Sequence, residues 1–154
     1  MKYRIDGLSL GYDDRGAGTA LVLLHGFPFN RTMWEPQIEK FSGTMRVITP
    51  DFRGHGESDA PDYPYTMELL ADDVAGLLDQ LGVERVVLGG LSMGGYVAFS
   101  FYQRYRDRVQ ALVLLDTRPE ADTEEGKINR ARMADLARRQ GPTAIADSLI
   151  LKVL

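Results

Sequence analysis

Apolar residues follow two rhythms along the chain. Residues 20–24, 45–48, 86–88 and 109–115 form short runs that are apolar at nearly every position and are bounded by glycine, proline or charge. A run of that length without a polar face is the pattern of a strand buried on both sides of a parallel sheet. Between these runs the apolar positions recur at three and four residues. Trp34, Ile38 and Phe41 predict a helix over 31–41 with one face on a sheet, where Trp34 joins the core. Met67, Leu70, Ala71, Val74, Leu77, Leu78 and Leu81 give the clearest helical repeat, opened by Thr66 as a cap and stopped by Gly82.

The N-terminus reads differently. Residues 3–5 and 8–12 are two short strands joined through Asp6-Gly7, a hairpin signal, and 13–18 is a polar, glycine-rich loop. A further helix runs from the glycines after Ser92 to about Tyr105. Beyond the strand 109–115 the pattern becomes a charged helix over 124–140 and an apolar one over 144–154, divided at Gly141-Pro142. Strands alternating with helices predict an α/β fold, a mostly parallel, right-handed, doubly wound sheet with helices on both faces. The change of pattern divides the chain into 1–118, a sheet-based core, and 119–154, a helical segment.

Composition narrows the chemistry. With 154 residues, 44% hydrophobic and 26% charged, the chain supports one ordinary core. A net charge of -4 with lysine and arginine scattered among acids offers no stripe for a phosphate backbone, so nucleic acid is not an expected partner. The arginines at 130, 132, 138 and 139 are interleaved with Asp135 and alanines and read as a solvated face. There is no cysteine and there are two histidines, too few for a thiolate or histidine metal site; no metal and no cofactor is implied. The first residues lack the apolar core of a signal peptide and no run reaches membrane-spanning length, so the expected location is cytoplasmic, without a membrane partner.

The chemistry concentrates at Gly90-Leu91-Ser92-Met93-Gly94, which lies between the apolar run 86–88 and the helical stretch that follows. Strand, tight turn and helix make this a nucleophile elbow: the turn strains its central residue, and side chains two positions to either side would strike backbone. Ser92 is the candidate nucleophile, and the Met93 amide at the helix start is a candidate donor to an oxyanion. Two other loops carry chemically rich residues, His25-Gly26-Phe27-Pro28 and the stretch from Asp51 through Arg53, Gly54, His55 and Gly56 to Ser58. His25 reads as a structural residue that shapes its loop, His55 as one that holds its own, and Asp51 with Arg53 as a structural ion pair. Phe101, Tyr102 and Tyr105 read as core and helix surface.

These three loops, in this order after the third, fourth and fifth strands, resemble the α/β-hydrolase fold family, and the resemblance covers essentially the whole chain. Within it the chain looks most like small esterases, enol-lactonases and cofactor-free haloperoxidases. The resemblance implies a serine hydrolase of carboxylic esters or lactones: Ser92 attacks an acyl carbonyl to form an acyl-enzyme, and the N–H groups of Phe27 and Met93 hold the oxyanion. It also implies an acid and then a histidine after the serine. No histidine follows Ser92, and Asp116, just past the sixth strand, reads as a loop-capping residue.

The expectation is therefore an α/β-hydrolase-type fold truncated after about the sixth strand and the start of a helical cap. On its own such a chain has weak activity or none. Its expected partners are a small-molecule ester or lactone and either a complementary C-terminal fragment or a second copy, because the strand 109–115 becomes an unpaired apolar edge. The alternative is a catalytically silent domain that serves as a binding or assembly module.

Overall fold

A computed structural model describes the backbone of residues 1–153 and the side chains of residues 1–149. The chain forms two compact units, Met1–Pro119 and Glu120–Leu154. The first is built on a six-stranded sheet: β1 (Lys2–Ile5), β2 (Leu8–Arg15), β3 (Ala20–Leu24), β4 (Arg46–Pro50), β5 (Val86–Leu91) and β6 (Val109–Leu115). Their spatial order is β1-β2-β4-β3-β5-β6. The β1 and β2 strands form the antiparallel hairpin, β2 runs antiparallel to β4, and the remaining neighbours are parallel.

Helices cover both faces, and the strands show why. In β3 the side chains of Ala20, Val22 and Leu24 join one cluster and those of Leu21 and Leu23 the other. The larger cluster takes the apolar faces of α2 (Met67–Gln80) and α3 (Met93–Arg104), with Leu77, Leu78 and Phe101 fully buried. The smaller takes α1 (Glu35–Phe41) through Ile38 and the turn before it through Trp34, so Trp34 lies in the core. Both faces of β3 are thus sealed, as its continuous apolar run requires.

Local signals set the element ends. The Thr66 hydroxyl accepts a hydrogen bond from the Leu69 N–H at 3.2 Å and caps α2, and Gly82 follows it at φ 63°. The helix expected over 31–41 divides: a 3₁₀ turn, Arg31–Trp34, is capped by Asn30, and α1 begins at Glu35 with Pro36 in its first turn. Proline lacks the donor a continuous helix would need there, which is why the turn changes type. The polar stretch Asp13, Asp14 and Arg15 belongs to β2 rather than to a loop, because its backbone pairs with Thr49, Ile48 and Val47 of β4. Sequence polarity there reflects ion pairing at the sheet surface, such as Arg46 with Asp14 at 2.7 Å.

The second unit contains α4 (Glu124–Gln140) and α5 (Pro142–Val153), joined at Gly141. Within α4, Arg139 pairs with Asp135 at 3.0 Å and all residues are at least partly exposed, in keeping with a solvated face. Leu154, at the end of the expected helix, lies outside the described residues.

Candidate active site

Strand order reverses about β3: β4 lies on one side and β5 on the other. In a doubly wound sheet the carboxyl ends of strands at such a reversal open a crevice, because the loops leaving them diverge. The loop after β3 and the turn after β5 meet there, since Leu24 is directly opposite Gly90. Their approach is close: a side chain on Gly26 would sit 3.3 Å from the Leu91 carbonyl and 3.6 Å from Ser92 Cβ.

Ser92 occupies the turn between β5 and α3 with φ 49° and ψ -111°, a left-handed conformation that L-residues rarely adopt. The flanking glycines explain how the turn is reached. A Cβ on Gly90 would lie 2.3 Å from the Gly94 carbonyl, and one on Gly94 2.3 Å from the Leu24 carbonyl. Neither contact is possible for any other residue without moving backbone.

The strained backbone of Ser92 is held on all sides. Its N–H donates to the Leu115 carbonyl at 3.0 Å, and its carbonyl accepts from Gly95 N–H at 2.9 Å, Tyr96 N–H at 3.3 Å and the Thr117 hydroxyl at 2.9 Å. Its own hydroxyl does not cap α3 and has no hydrogen-bond partner among the described residues. Neither the Phe27 N–H nor the Met93 N–H donates to a described residue. One free hydroxyl and two free amide donors therefore belong to the two loops that converge at the crevice.

His25 is fully buried and its ring is engaged at both nitrogens. Nδ1–H donates to the Gly26 carbonyl at 3.0 Å, and Nε2 accepts from the Phe52 N–H at 3.1 Å. Burial, with a smaller contribution from His55, lowers its pKa to about 4, so the neutral ring is the working state. His55 donates from Nδ1 to the Arg53 carbonyl at 3.2 Å and is also pushed below the usual histidine range by burial. Each histidine has the structural contact read from the sequence. The Phe27 side chain, 44% exposed, meets His55 edge-on with ring centres 6.1 Å apart.

The expected ion pair between Asp51 and Arg53 does not form. Asp51 faces Arg31, whose side chain contacts it directly and also reaches Asp13 and Glu57, each at 3.0 Å. Arg53 points the other way, into α2, where its Nε donates to Asp73 at 2.7 Å and its terminal nitrogen pairs with the other carboxylate oxygen. The backbone turns at Arg53 instead of continuing as a strand, so the alternation that would put residues 51 and 53 on one side does not hold, and each finds a partner 20 residues away. The buried pair fixes the Arg53 guanidinium in its charged form, held by the Asp73 hydrogen bond. The aromatic residues in and just after α3 fall as expected: Phe101 is core, and the hydroxyl of Tyr105, which follows the helix, donates to Asp72 at 2.7 Å on the surface of α2.

Three features of the site escaped the sequence pattern: Arg31, Thr117 and Gly95. A Cβ on Gly95 would lie 2.3 Å from the Thr117 hydroxyl oxygen, so the second of two consecutive glycines makes room for that side chain. The doubled glycine was the available signal. Asp116, beside Thr117, has φ 43°, which places a second strained residue next to the turn. Among the described residues no cluster of histidine and carboxylate side chains is arranged to hold a metal ion, and no helix is long and apolar enough to cross a membrane.

Comparison with known proteins agrees with this fold. A thermophilic esterase from Thermogutta terrifontis superposes with a TM-score of 0.90 and is 49% identical, the match covering 97% of this chain and 56% of that one. The enol-lactonase from Burkholderia xenovorans LB400 superposes with a TM-score of 0.87 at 34% identity, over 97% of this chain and 58% of that one. Epoxide hydrolase 2 from Siraitia grosvenorii is 41% identical over 113 residues, 71% of this chain and 36% of its own. The chain thus spans a little over half the length of the two solved relatives and about a third of the curated one. The alpha/beta hydrolase fold family profile matches residues 19–148, and the chain belongs to that family.

Proposed function

We propose that the chain carries the nucleophile and the oxyanion donors of a hydrolase of carboxylic esters or lactones. The observation that carries the reading is the set of unengaged groups at the crevice, the Ser92 hydroxyl and the Phe27 and Met93 N–H groups. In this reading Ser92 Oγ attacks the acyl carbonyl while a base removes its proton, and the two amides receive the charge that develops on the carbonyl oxygen. Collapse of the adduct expels the alcohol, which takes the proton from the base, and water then releases the acid. A lactone follows the same course with the leaving hydroxyl still tethered.

The base is not among the residues of this chain. His25 has both ring nitrogens engaged in backbone hydrogen bonds, His55 is turned to the Arg53 carbonyl, and no histidine follows Ser92. A serine hydroxyl is a poor nucleophile at neutral pH without a neighbour to accept its proton. The acid and base are therefore supplied from outside these 154 residues, and we read 1–118 as the N-terminal part of the hydrolase core and 119–154 as the start of a helical cap segment. The β6 edge is the place where the supplying segment or a second copy pairs. It is the terminal strand in the sheet order, and Val113 and Leu114 are 38% and 44% exposed on it. The identity of 49% to an esterase over 97% of the chain favours ester chemistry over the epoxide opening of the relative matched over 71%.

The test is covalent labelling with a fluorophosphonate, followed by intact-mass measurement and a panel of aryl esters and lactones. The 154-residue chain alone is expected to label and to hydrolyse slowly or not at all; the longer protein that contains it is expected to label stoichiometrically and lose both label and turnover in Ser92→Ala. Ordinary turnover by the chain alone, or label retained in Ser92→Ala, would overturn the assignment.

A further inference from the structure

We infer that Thr117 is a positioning residue that aims the Met93 N–H at the developing oxyanion; this rests on the assignment of Met93 as an oxyanion donor. The argument is planar geometry. The carbonyl of Ser92 and the N–H of Met93 belong to one peptide group, and in a trans peptide they point in opposite directions. The only cis peptide among the described residues is Phe27–Pro28, so the Ser92–Met93 bond is trans. Whatever holds the Ser92 carbonyl from behind therefore sets the direction of the Met93 N–H in front.

Three donors hold that carbonyl. Two of them, the N–H groups of Gly95 and Tyr96, lie along α3 and fix the carbonyl with respect to the helix axis. The third is the Thr117 hydroxyl at 2.9 Å, which reaches in from the end of β6 and fixes it with respect to the sheet. Rotation of the peptide about the helix axis is restrained by Thr117 and not by the helix bonds.

Two independent features show that the contact is built in. Gly95 has no side chain where any Cβ would come within 2.3 Å of the Thr117 hydroxyl oxygen. The preceding residues of the same segment clamp the other side of Ser92, through the Leu115 carbonyl and the Ser92 N–H at 3.0 Å. The same device holds the second donor. The Gly26 carbonyl accepts from His25 Nδ1–H at 3.0 Å and from the Phe29 N–H at 3.0 Å, which directs the Phe27 N–H of that trans peptide away from the loop interior.

The experiment compares Thr117→Val, which keeps the shape and loses the hydroxyl, with Thr117→Ser, which keeps the hydroxyl, in the longer protein that contains this chain. Each is measured for kcat, KM, melting temperature and the Kd of an aryl boronic acid, whose tetrahedral adduct with serine carries an oxygen where the oxyanion forms. Loss of one aligned hydrogen bond predicts a fall in kcat of about five- to tenfold in Thr117→Val, with KM unchanged and boronate affinity falling by the same factor. Thr117→Ser restores both. If Thr117→Val does not fold, Thr117→Ala against Thr117→Ser makes the same comparison. Unchanged kcat and boronate affinity in Thr117→Val, or a rise in KM alone, would overturn the inference. Ser92→Ala separates the two levels: if it retains activity the underlying assignment fails, whereas an inactive Ser92→Ala beside a fully active Thr117→Val removes only the role of Thr117.

Discussion

Two glycine-rich loops leave the carboxyl ends of the parallel strands on either side of β3, and each contains a serine, yet their polar groups are in opposite states. In the loop after β4, Ser58 is engaged twice: its hydroxyl donates to the Asp51 carbonyl at 2.8 Å and accepts from the Gly11 N–H at 2.9 Å. Asp51 accepts from the backbone N–H groups of Arg31 at 2.7 Å and Glu57 at 2.9 Å, and Arg53 is locked to Asp73. In the turn after β5 the backbone of Ser92 is fixed by four hydrogen bonds while its hydroxyl has none among the described residues. Richness in glycine marks both loops in the sequence. What distinguishes the reactive one is a side chain left without a partner on a backbone that cannot relax.

The largest expected effect breaks the engaged loop. Arg53 and Asp73 are 2% and 3% exposed, so removing one partner leaves a buried charge without compensation. Arg53→Met is expected to cost about 3–5 kcal/mol, read from urea unfolding. Replacing both with apolar residues of similar volume should recover much of that loss, because the pair itself adds little beyond the desolvation it offsets. A loss in Arg53→Met below about 1 kcal/mol would show that water enters the site and that this loop is less closed than its contacts indicate.

His25 ties the loop after β3 to the engaged loop after β4 through the Phe52 N–H, and its protonation sharpens the comparison. The folded-state pKa of about 4 lies below the ordinary histidine value of 6.5 because the ring is buried. The unfolded chain therefore takes up a proton at a pH where the folded chain does not. Stability attributable to the neutral ring is full above pH 6.5, declines as pH falls, and is gone below about pH 4. The shift corresponds to roughly 3 kcal/mol between those limits. Carboxylates contribute over part of the same range, so the measurement is a difference: His25→Asn should be less stable at pH 7 and show a shallower loss on acidification. Parallel pH profiles for the two proteins would mean that His25 is protonated in the fold.

How much of this could be read from the sequence follows from the kind of interaction involved. The strands, the α2 helix with its Thr66 cap and the elbow at Ser92 rest on local spacing, and local spacing is what a sequence displays. The 3₁₀ turn at Arg31–Trp34 was missed because the helical repeat of Trp34, Ile38 and Phe41 outweighed the single Pro36. The Asp51–Arg53 pair was misread because nearness along the chain stood in for nearness in space; the partners, Arg31 and Asp73, are each 20 residues away. Thr117 lies 25 residues from the carbonyl it holds, and the only sequence trace of that contact was the additional glycine at 95. Side-chain contacts between crossover-connected strands leave no periodicity to find.

The smallest expected effect is also the most direct test of the contrast, a pair of serine-to-alanine substitutions read by equilibrium unfolding. Ser58→Ala removes a donor to the Asp51 carbonyl and an acceptor from the Gly11 N–H, both partly buried, and leaves each partner unsatisfied. That loss is expected to cost about 1–3 kcal/mol. Ser92→Ala removes a hydroxyl with no partner among the described residues, while the φ of 49° that strains the turn is a property of the backbone and is as unfavourable for alanine as for serine. The change should therefore lie within about 0.5 kcal/mol of zero, with a small gain if the unpaired hydroxyl is poorly solvated in the crevice. A cost at Ser92 as large as that at Ser58 would mean that the hydroxyl is engaged in the folded protein, and the distinction between a structural loop and a reactive one would then have to rest on something other than free side chains.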